Sequence, residues 1–205
     1  KRINLPQLRA DMSRDKVRDF VSHFGSIAVL HKKGHAKTLR SVATEAGIPT
    51  VVFELGQSGS LQESYIKAGI KTMDDLIVNL GIVSKPFLWF EPQPVYYSSK
   101  WVRANNGGML LSKVNIGDDI KVGDRLGLIV NPLNNGESVI ESPVTGRVLG
   151  MALNQFMLPG YAAFHIGITA DEDTLAESYD DNGDLFDDSD EEMDNGSNNQ
   201  MEEYD

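Results

Sequence analysis

Apolar positions in the first eighty residues alternate between helical spacing and short continuous runs. Val17, Phe20, Val21 and Phe24 stand at i, i+3, i+4 and i+7, one face of a helix that Gly25 is placed to stop. Ile27 to Leu30 is an apolar run of strand length. Leu39, Val42, Ala43 and Ala46 return to helical spacing, which Gly47 and Pro49 break, and Thr50-Val51-Val52-Phe53 is β-branched and apolar, the character of a buried strand. Met73, Leu76, Ile77 and Leu80 form a further amphipathic helix ending at Gly81. Helix, strand, helix, strand, helix predicts an α/β layer with helices covering a sheet. Two clear strands do not complete such a layer, so part of the sheet is expected to be missing.

The pattern changes after Ile82. Pro86, Pro92 and Pro94 punctuate aromatic residues, predicting an extended connection over 84–97. Between Trp101 and Ile168 the apolar segments are short and glycines are frequent, which predicts a small all-β unit with tight turns. This unit carries a faint duplication. Gly108-Met109-Leu110 precedes Gly123, and Gly146-Arg147-Val148 precedes Gly160 at almost the same distance; an apolar run follows each second glycine. Two similar halves closing on each other are expected. The predicted organisation is therefore 1–83, the C-terminal part of an α/β domain; 84–97, a linker; 98–170, an all-β domain; and 171–205, a tail.

Charge changes the picture only after the chain is divided. The 205 residues carry a formal net charge of -11, with 30 Asp and Glu against 19 Lys and Arg. From Asp171 to Asp205 there are 16 acids and no bases, which leaves 14 acids and 19 bases, or +5, for the first 170 residues. The tail is poor in apolar residues and is expected to be disordered, since it cannot bury enough surface to offset its ordering entropy. The basic residues elsewhere are scattered and form no array with aromatics, which argues against a nucleic-acid partner. No stretch approaches eighteen uninterrupted apolar residues, and the first residues lack the apolar core of a signal peptide, so no membrane span is expected. The absence of cysteine excludes disulfides and thiolate chemistry and fits a reducing compartment, with a cytoplasmic location expected.

Two residues draw attention as chemistry. Glu54 follows the apolar strand Val51-Val52-Phe53 and precedes the loop Gly56-Gln57-Ser58-Gly59, and α/β sheets place ligands at the carboxyl ends of strands. It is a candidate general base there, although an ordinary strand-end glutamate facing water has the same local pattern. Arg40, at the start of the second helix, could grip a carboxylate through two parallel hydrogen bonds or could simply be solvated. Among the histidines, His31 and His35 are four apart but Gly34 interrupts any helix between them, and the chain contains neither HExxH nor HxxE. A complete zinc site is not expected from these residues. Serine catalysis has no support either, because no GxSxG turn is present.

Several stretches then line up, in order, with one family. Arg2-Ile3-Asn4-Leu5-Pro6-Gln7-Leu8-Arg9-Ala10-Asp11 resembles the RTNLPQxRAD segment of the succinylglutamate desuccinylase/aspartoacylase family, with Ile3 in place of the usual Thr. Thr38-Leu39-Arg40, Ala46-Gly47-Ile48-Pro49 and Phe53-Glu54-Leu55-Gly56 are similar to its SLR, AGIP and ELG elements. Ala68-Gly69-Ile70, Leu80-Gly81-Ile82 and Trp101-Val102-Arg103-Ala104 continue the likeness, which spans about residues 1–168.

The resemblance implies a partial zinc-carboxypeptidase-like α/β layer followed by a small biotinyl/lipoyl-like barrel. It implies a metal-dependent amidohydrolase, a deacylase that removes the acyl group of a small N-acyl amino acid. Glu54 would match the residue that activates the zinc-bound water, and Arg40 the arginine that holds a substrate carboxylate. Asn4 and Arg9 would lie in the pocket. The family's HxxE pair and third ligand, a histidine, would lie upstream of Lys1, so the Zn2+ ligands are expected outside these residues and this portion is expected to be inactive by itself. A rival reading is a noncatalytic module built on the lipoyl-like unit. A carrier would need a lysine at the turn Asn131-Pro132-Leu133-Asn134-Asn135-Gly136, which has none, so binding, scaffolding or homo-oligomer contacts remain for it.

Overall fold

The computed structural model describes residues 2–84, 94–153 and 155–168. The tail expected at 171–205 and most of the connection expected at 84–97 lie outside the described residues. In chain order the elements are β1 (Arg2–Ala10), α1 (Asp15–Ser22), β2 (Ala28–His31), α2 (Leu39–Glu45), β3 (Val51–Gln57) and α3 (Glu63–Asn79). They continue as β4 (Val95–Tyr96), β5 (Ser99–Arg103), β6 (Gly108–Ser112), β7 (Asp119–Ile120), β8 (Arg125–Val130), β9 (Glu137–Glu141), β10 (Gly146–Ala152), β11 (Phe156–Met157) and β12 (Ala162–Ile168). None of the described helices is long and apolar enough to cross a membrane.

The apolar pattern does not announce β1, yet it is the strand on which the α/β region is organised. Its second half runs parallel to β2, from Gln7 beside Ala28 to Ala10 beside His31. Along its other edge it pairs antiparallel with β3, and its first residues pair antiparallel with β10, Arg2 beside Ala152 and Asn4 beside Gly150. A strand that changes partners needs a break in its ladder, and Pro6, which has no N–H to donate, supplies one. The pairing with β3 shifts register between Asn4 and Gln7, at this proline.

Alternation along β1 sends Leu8 and Ala10 to one face, where they pack with Val17, Val21 and Phe24 beside α1, Val29 of β2 and Leu76 of α3. The α1 stripe read from the sequence is therefore the one that is buried. The chain leaves α1 through Gly25 and α3 through Gly81, each in the left-handed region at a φ of 72°, where a side chain would be strained.

The second helix departs from its expected packing. Thr38 caps α2 by accepting from the Ser41 amide at 3.3 Å, but Leu39 and Val42 of the supposed inner face are 86% and 53% exposed, and Ser41 is the buried residue. Seven residues make two turns, too few for periodicity to fix which side meets the sheet.

The β-rich region has two sheets around one core. Leu110, Leu126, Ile129, Ile140 and Met157 from the sheet β11-β6-β8-β9 meet Val102, Val148, Phe164 and Ile166 from β5, β10 and β12. Its halves are related as the duplication predicts. Hairpin β6–β8 corresponds to hairpin β10–β12, and each half lends its short strand to the other: β11 adds to β6, with Met157 beside Gly108, while β7 adds to β10, with Ile120 beside Gly146. The two glycines are equivalent in detail. A Cβ on Gly108 would stand 2.5 Å from the Val130 carbonyl oxygen, and one on Gly146 would stand 2.0 Å from that of Gly167. Even the turns repeat, since the Ser112 hydroxyl donates to the Val114 carbonyl at 2.7 Å and Ser142 to that of Val144 at 2.6 Å.

Candidate active site

The face of β1 opposite Leu8 and Ala10 carries Gln7 and Arg9. The β1–β3 register sets Gln7 beside Glu54, which brings the Glu54 carboxylate to that same face. Arg9 Nε lies 3.0 Å from Oε1 of Glu54, in an ion pair whose side chains are 17% and 25% exposed respectively. The contact is one of charge, because Nε is not aligned for a directed hydrogen bond. Gln7 Nε2 donates to Glu54 Oε2 at 3.2 Å, and Asn4 Nδ2 reaches the same oxygen at 3.5 Å, the edge of hydrogen-bond range. One carboxylate is therefore held by a guanidinium and two amides, all from β1, and its remaining exposure leaves it reachable from solvent.

The β-rich region shapes this site from the far side of β1. Gly150 pairs with both Asn4 and His165, and a Cβ at 150 would come within 2.8 Å of Asn4 Oδ1. The glycine is what lets the Asn4 amide lie across β10 and reach Glu54. His165 is 2% exposed, stacks on Trp101 with ring centroids 4.0 Å apart, and has Nε2 2.8 Å from the Ser99 hydroxyl. Arg2 lies over the same indole at 4.6 Å, a cation–π contact. Burial, and then the positive charges of Arg9, Lys32 and Arg2, push the His165 pKa down to about 3. It is a neutral imidazole in a basic environment, with Nδ1 buried and unmatched.

The structure thus brings Glu54, Arg9 and Asn4 together. Arg40 is tied elsewhere: its Nη1 donates to the Lys32 carbonyl at 3.0 Å, and the absence of a side chain at Gly34, where φ is 83°, makes room for its guanidinium. Gln7, wholly buried, is the contact that sequence reading missed. Had Arg2–Ala10 been recognised as a strand, its place two positions before Arg9 would have put it on the same face.

A second polar group gathers at the ends of β1 and β2. The Met12 amide donates to His31 Nδ1 at 3.0 Å, which assigns the ring proton to Nε2, and burial lowers the His31 pKa against the opposing charge of Asp11. Burial would raise the Asp11 pKa, but hydrogen bonds from the Ser13 hydroxyl and amide outweigh it and hold the carboxyl below its ordinary value. Between the start of α1 and the end of α2, a surface cavity of about 340 Å³ is lined by Ser13, Lys16, Thr44 and Pro49 among others, and by none of the candidate residues.

Zinc requires three protein ligands or more. Among the described residues no group of three or more His, Cys, Asp or Glu could hold a metal ion. His31 spends Nδ1 on a backbone amide and His165 sits in its stack, so these residues do not fit the ion that the resemblance implies.

No protein-family model and no curated protein matches the sequence. Solved structures do match the fold. The ectoine utilization protein EutE (DoeB) from Ruegeria pomeroyi, in its apo form, superposes with a TM-score of 0.71 at 15% identity, over 82% of this chain and 56% of that one. A succinylglutamate desuccinylase/aspartoacylase from Rhodobacter sphaeroides gives 0.69 at 15% identity over 83% and 55%, and a succinylglutamate desuccinylase from Silicibacter sp. TM1040 gives 0.66 at 16% over 82% and 55%. The fold is that of structures described as succinylglutamate desuccinylases and aspartoacylases, and the chain spans little more than half the length of each.

Proposed function

We propose that this chain is the base-bearing portion of a zinc-dependent hydrolase that cleaves the amide bond of a small N-acyl amino acid. The observation that supports it is a carboxylate at the sheet face, held by Arg9, Gln7 and Asn4, in the fold of the hydrolases named above. The resident ion would polarise the scissile carbonyl and acidify a water molecule. Its ligands would come from elsewhere, because among the described residues no group of side chains could hold the ion.

What this chain supplies is proton transfer and positioning. Glu54 takes a proton from the attacking water as the new carbon–oxygen bond forms, and returns it to the leaving nitrogen as the carbon–nitrogen bond breaks. Arg9 and the two amides fix the orientation of the carboxylate, so the proton acceptor is in place before substrate arrives. Arg40, held on the Lys32 carbonyl and not brought to Glu54, carries no step in this reading. In a protein that carries the ligands, Glu54→Gln lowers turnover of N-acyl amino acids by about a hundredfold to ten-thousandfold, the range for a general base, with KM little changed. Turnover that survives the substitution removes Glu54 from the mechanism. Zinc-dependent hydrolysis by the 205 residues alone would remove the assignment of ligands to residues beyond them.

The pseudo-twofold β-rich region supports a second reading, a biotinyl/lipoyl-like unit that binds or scaffolds without catalysis. The connection between β8 and β9, 131–136, has no lysine to modify, so a carrier role is not part of that reading.

A further inference from the structure

Glycines in a sheet answer different needs, and the atom that a side chain would meet tells them apart. At Gly108 and Gly146 that atom is a backbone carbonyl oxygen of a neighbouring strand, so those glycines serve the close approach of strands. Gly150 is different. Its φ lies outside the left-handed region, so alanine there brings no backbone strain. A Cβ would stand 2.8 Å from Asn4 Oδ1, the free end of a side chain, while the next atoms, His165 Cβ at 3.4 Å and the Ile3 carbonyl oxygen at 3.7 Å, are at ordinary contact. The space left empty at 150 is thus taken by the Asn4 carboxamide. Asn4 is flanked by glycine in both neighbouring strands, Gly150 of β10 and Gly56 of β3, but a Cβ at Gly56 would meet the Tyr65 ring at 3.1 Å and not Asn4. Only the bare position in β10 bears on the amide.

We propose that Gly150 is a positioning residue for the Glu54 base: the missing side chain serves Asn4 and not the strand, and through Asn4 the β-rich region sets the orientation of the carboxylate. Asn4 Nδ2 reaches Glu54 Oε2 at 3.5 Å, the limit of a hydrogen bond, so a small displacement is enough to break it. Alanine at 150 drives Asn4 Oδ1 out to ordinary contact, and because the carboxamide is planar its Nδ2 end swings off the glutamate. Gln7 and Arg9, beyond Pro6 on β1, keep their contacts with Glu54. The catalytic consequence rests on the reaction proposed above; the geometric one stands on this chain alone.

The test therefore has two readouts. In the 205-residue chain, nuclear magnetic resonance follows the side-chain amide signals of Asn4. Glu54→Gln moves them in the parent but leaves them in place when Gly150→Ala is present, and the urea midpoint of Gly150→Ala is no lower than that of the parent. Gly107→Ala, where a Cβ meets nothing nearer than 3.6 Å, keeps the parent's response. In a protein that carries the zinc ligands, assayed on a panel of N-acetyl and N-succinyl amino acids, Gly150→Ala lowers kcat about tenfold with KM little changed. Asn4→Ala does the same, and the double variant falls no further. Asn4 signals that still answer to Glu54→Gln in the Gly150→Ala chain overturn the proposal. So does a urea midpoint well below the parent's, which assigns Gly150 to strand packing, or a double variant whose loss is the product of the single losses. Turnover that survives Glu54→Gln overturns the reaction instead, and the amide signals still decide the geometry.

Discussion

The α/β region and the β-rich region are built from similar fractions of apolar residues but close differently. In the β-rich region two equivalent hairpins exchange short strands, and Leu110, Leu126, Val148, Phe164 and Ile166 are fully buried between the sheets. In the α/β region β3 is hydrogen-bonded to β1 alone among the described strands, and Leu39, Val42, Ile70 and Met73 face outward. Both regions keep edge strands, β3 in one and β5 and β9 in the other, so the difference lies in the apolar faces, and the region that leaves them uncovered invites a partner. The polar cluster lies between the two, with Glu54 and Arg9 from the open region and Gly150 and His165 from the closed one.

The severest way to break this contrast is to enter the closed region at its tightest point. Gly146→Val places a side chain where a Cβ would already be 2.0 Å from a backbone oxygen, and strand β10 cannot retreat without losing β1, β7 and β12. The expected loss is about 3 kcal/mol or more of unfolding free energy, and thermal unfolding of the purified variant measures it. Valine accommodated without loss would show that the pseudo-twofold core is loose.

Next in size is the titration of His165, which probes the boundary between the regions. Its folded pKa of about 3 lies below the ordinary value of 6.5, so between these two pH values the unfolded chain binds the extra proton and stability falls as pH falls. The slope is about 1.4 kcal/mol per pH unit, approaching 2 kcal/mol by pH 5 as an order of magnitude. Above pH 6.5 this contribution is fully present. His165→Leu removes that slope, so urea midpoints of parent and variant should converge between pH 7 and pH 5. Parallel curves would mean that the imidazole beside Ser99 and Trp101 accepts a proton in the folded state.

The ion pair at the candidate base comes third. Arg9→Met leaves Glu54 on two amides, and the interaction between Arg9→Met and Glu54→Gln in a double-mutant cycle should be about 1 to 2 kcal/mol. The geometry of a partly exposed pair sets that ceiling. A coupling near zero would mean that Arg9 and Glu54 are neighbours in space but independent in energy.

How much of this was legible depends on the kind of signal each residue carries. The helix stripe of α1 and the strand at Val51 stood out because apolar pattern is a local property, but β3 is paired on one side only and Val52 is 39% exposed, so the buried strand expected there is instead a half-open one. The duplication was legible because glycines at 108 and 146 are needed for the same close approach. Strand β1 was not, because Arg2, Asn4, Gln7 and Arg9 form its polar face and Pro6 interrupts it, so it lacks the look of a buried strand. Glu54 and Arg9 could be named from ordered resemblance, but their contact is made by a register between β1 and β3 that local pattern does not encode. Helix α2 shows the opposite failure, a stripe that is present in the sequence and unburied in the fold.

That stripe gives the smallest expected effect and the finest test of the contrast. Leu39 is 86% exposed, so Leu39→Ser should change stability by no more than about 0.5 kcal/mol, as at an ordinary surface position. Leu133→Ser, at a similarly exposed position in the closed region, should do the same, and paired urea titrations compare the two. If Leu39→Ser instead costs about 2 kcal/mol, the value for a buried leucine contact, then something covers α2 in solution. Agreement between the two serines would make the outward face of α2 tolerant surface and leave α3 and the edge of β3 as the places where the open region is unfinished.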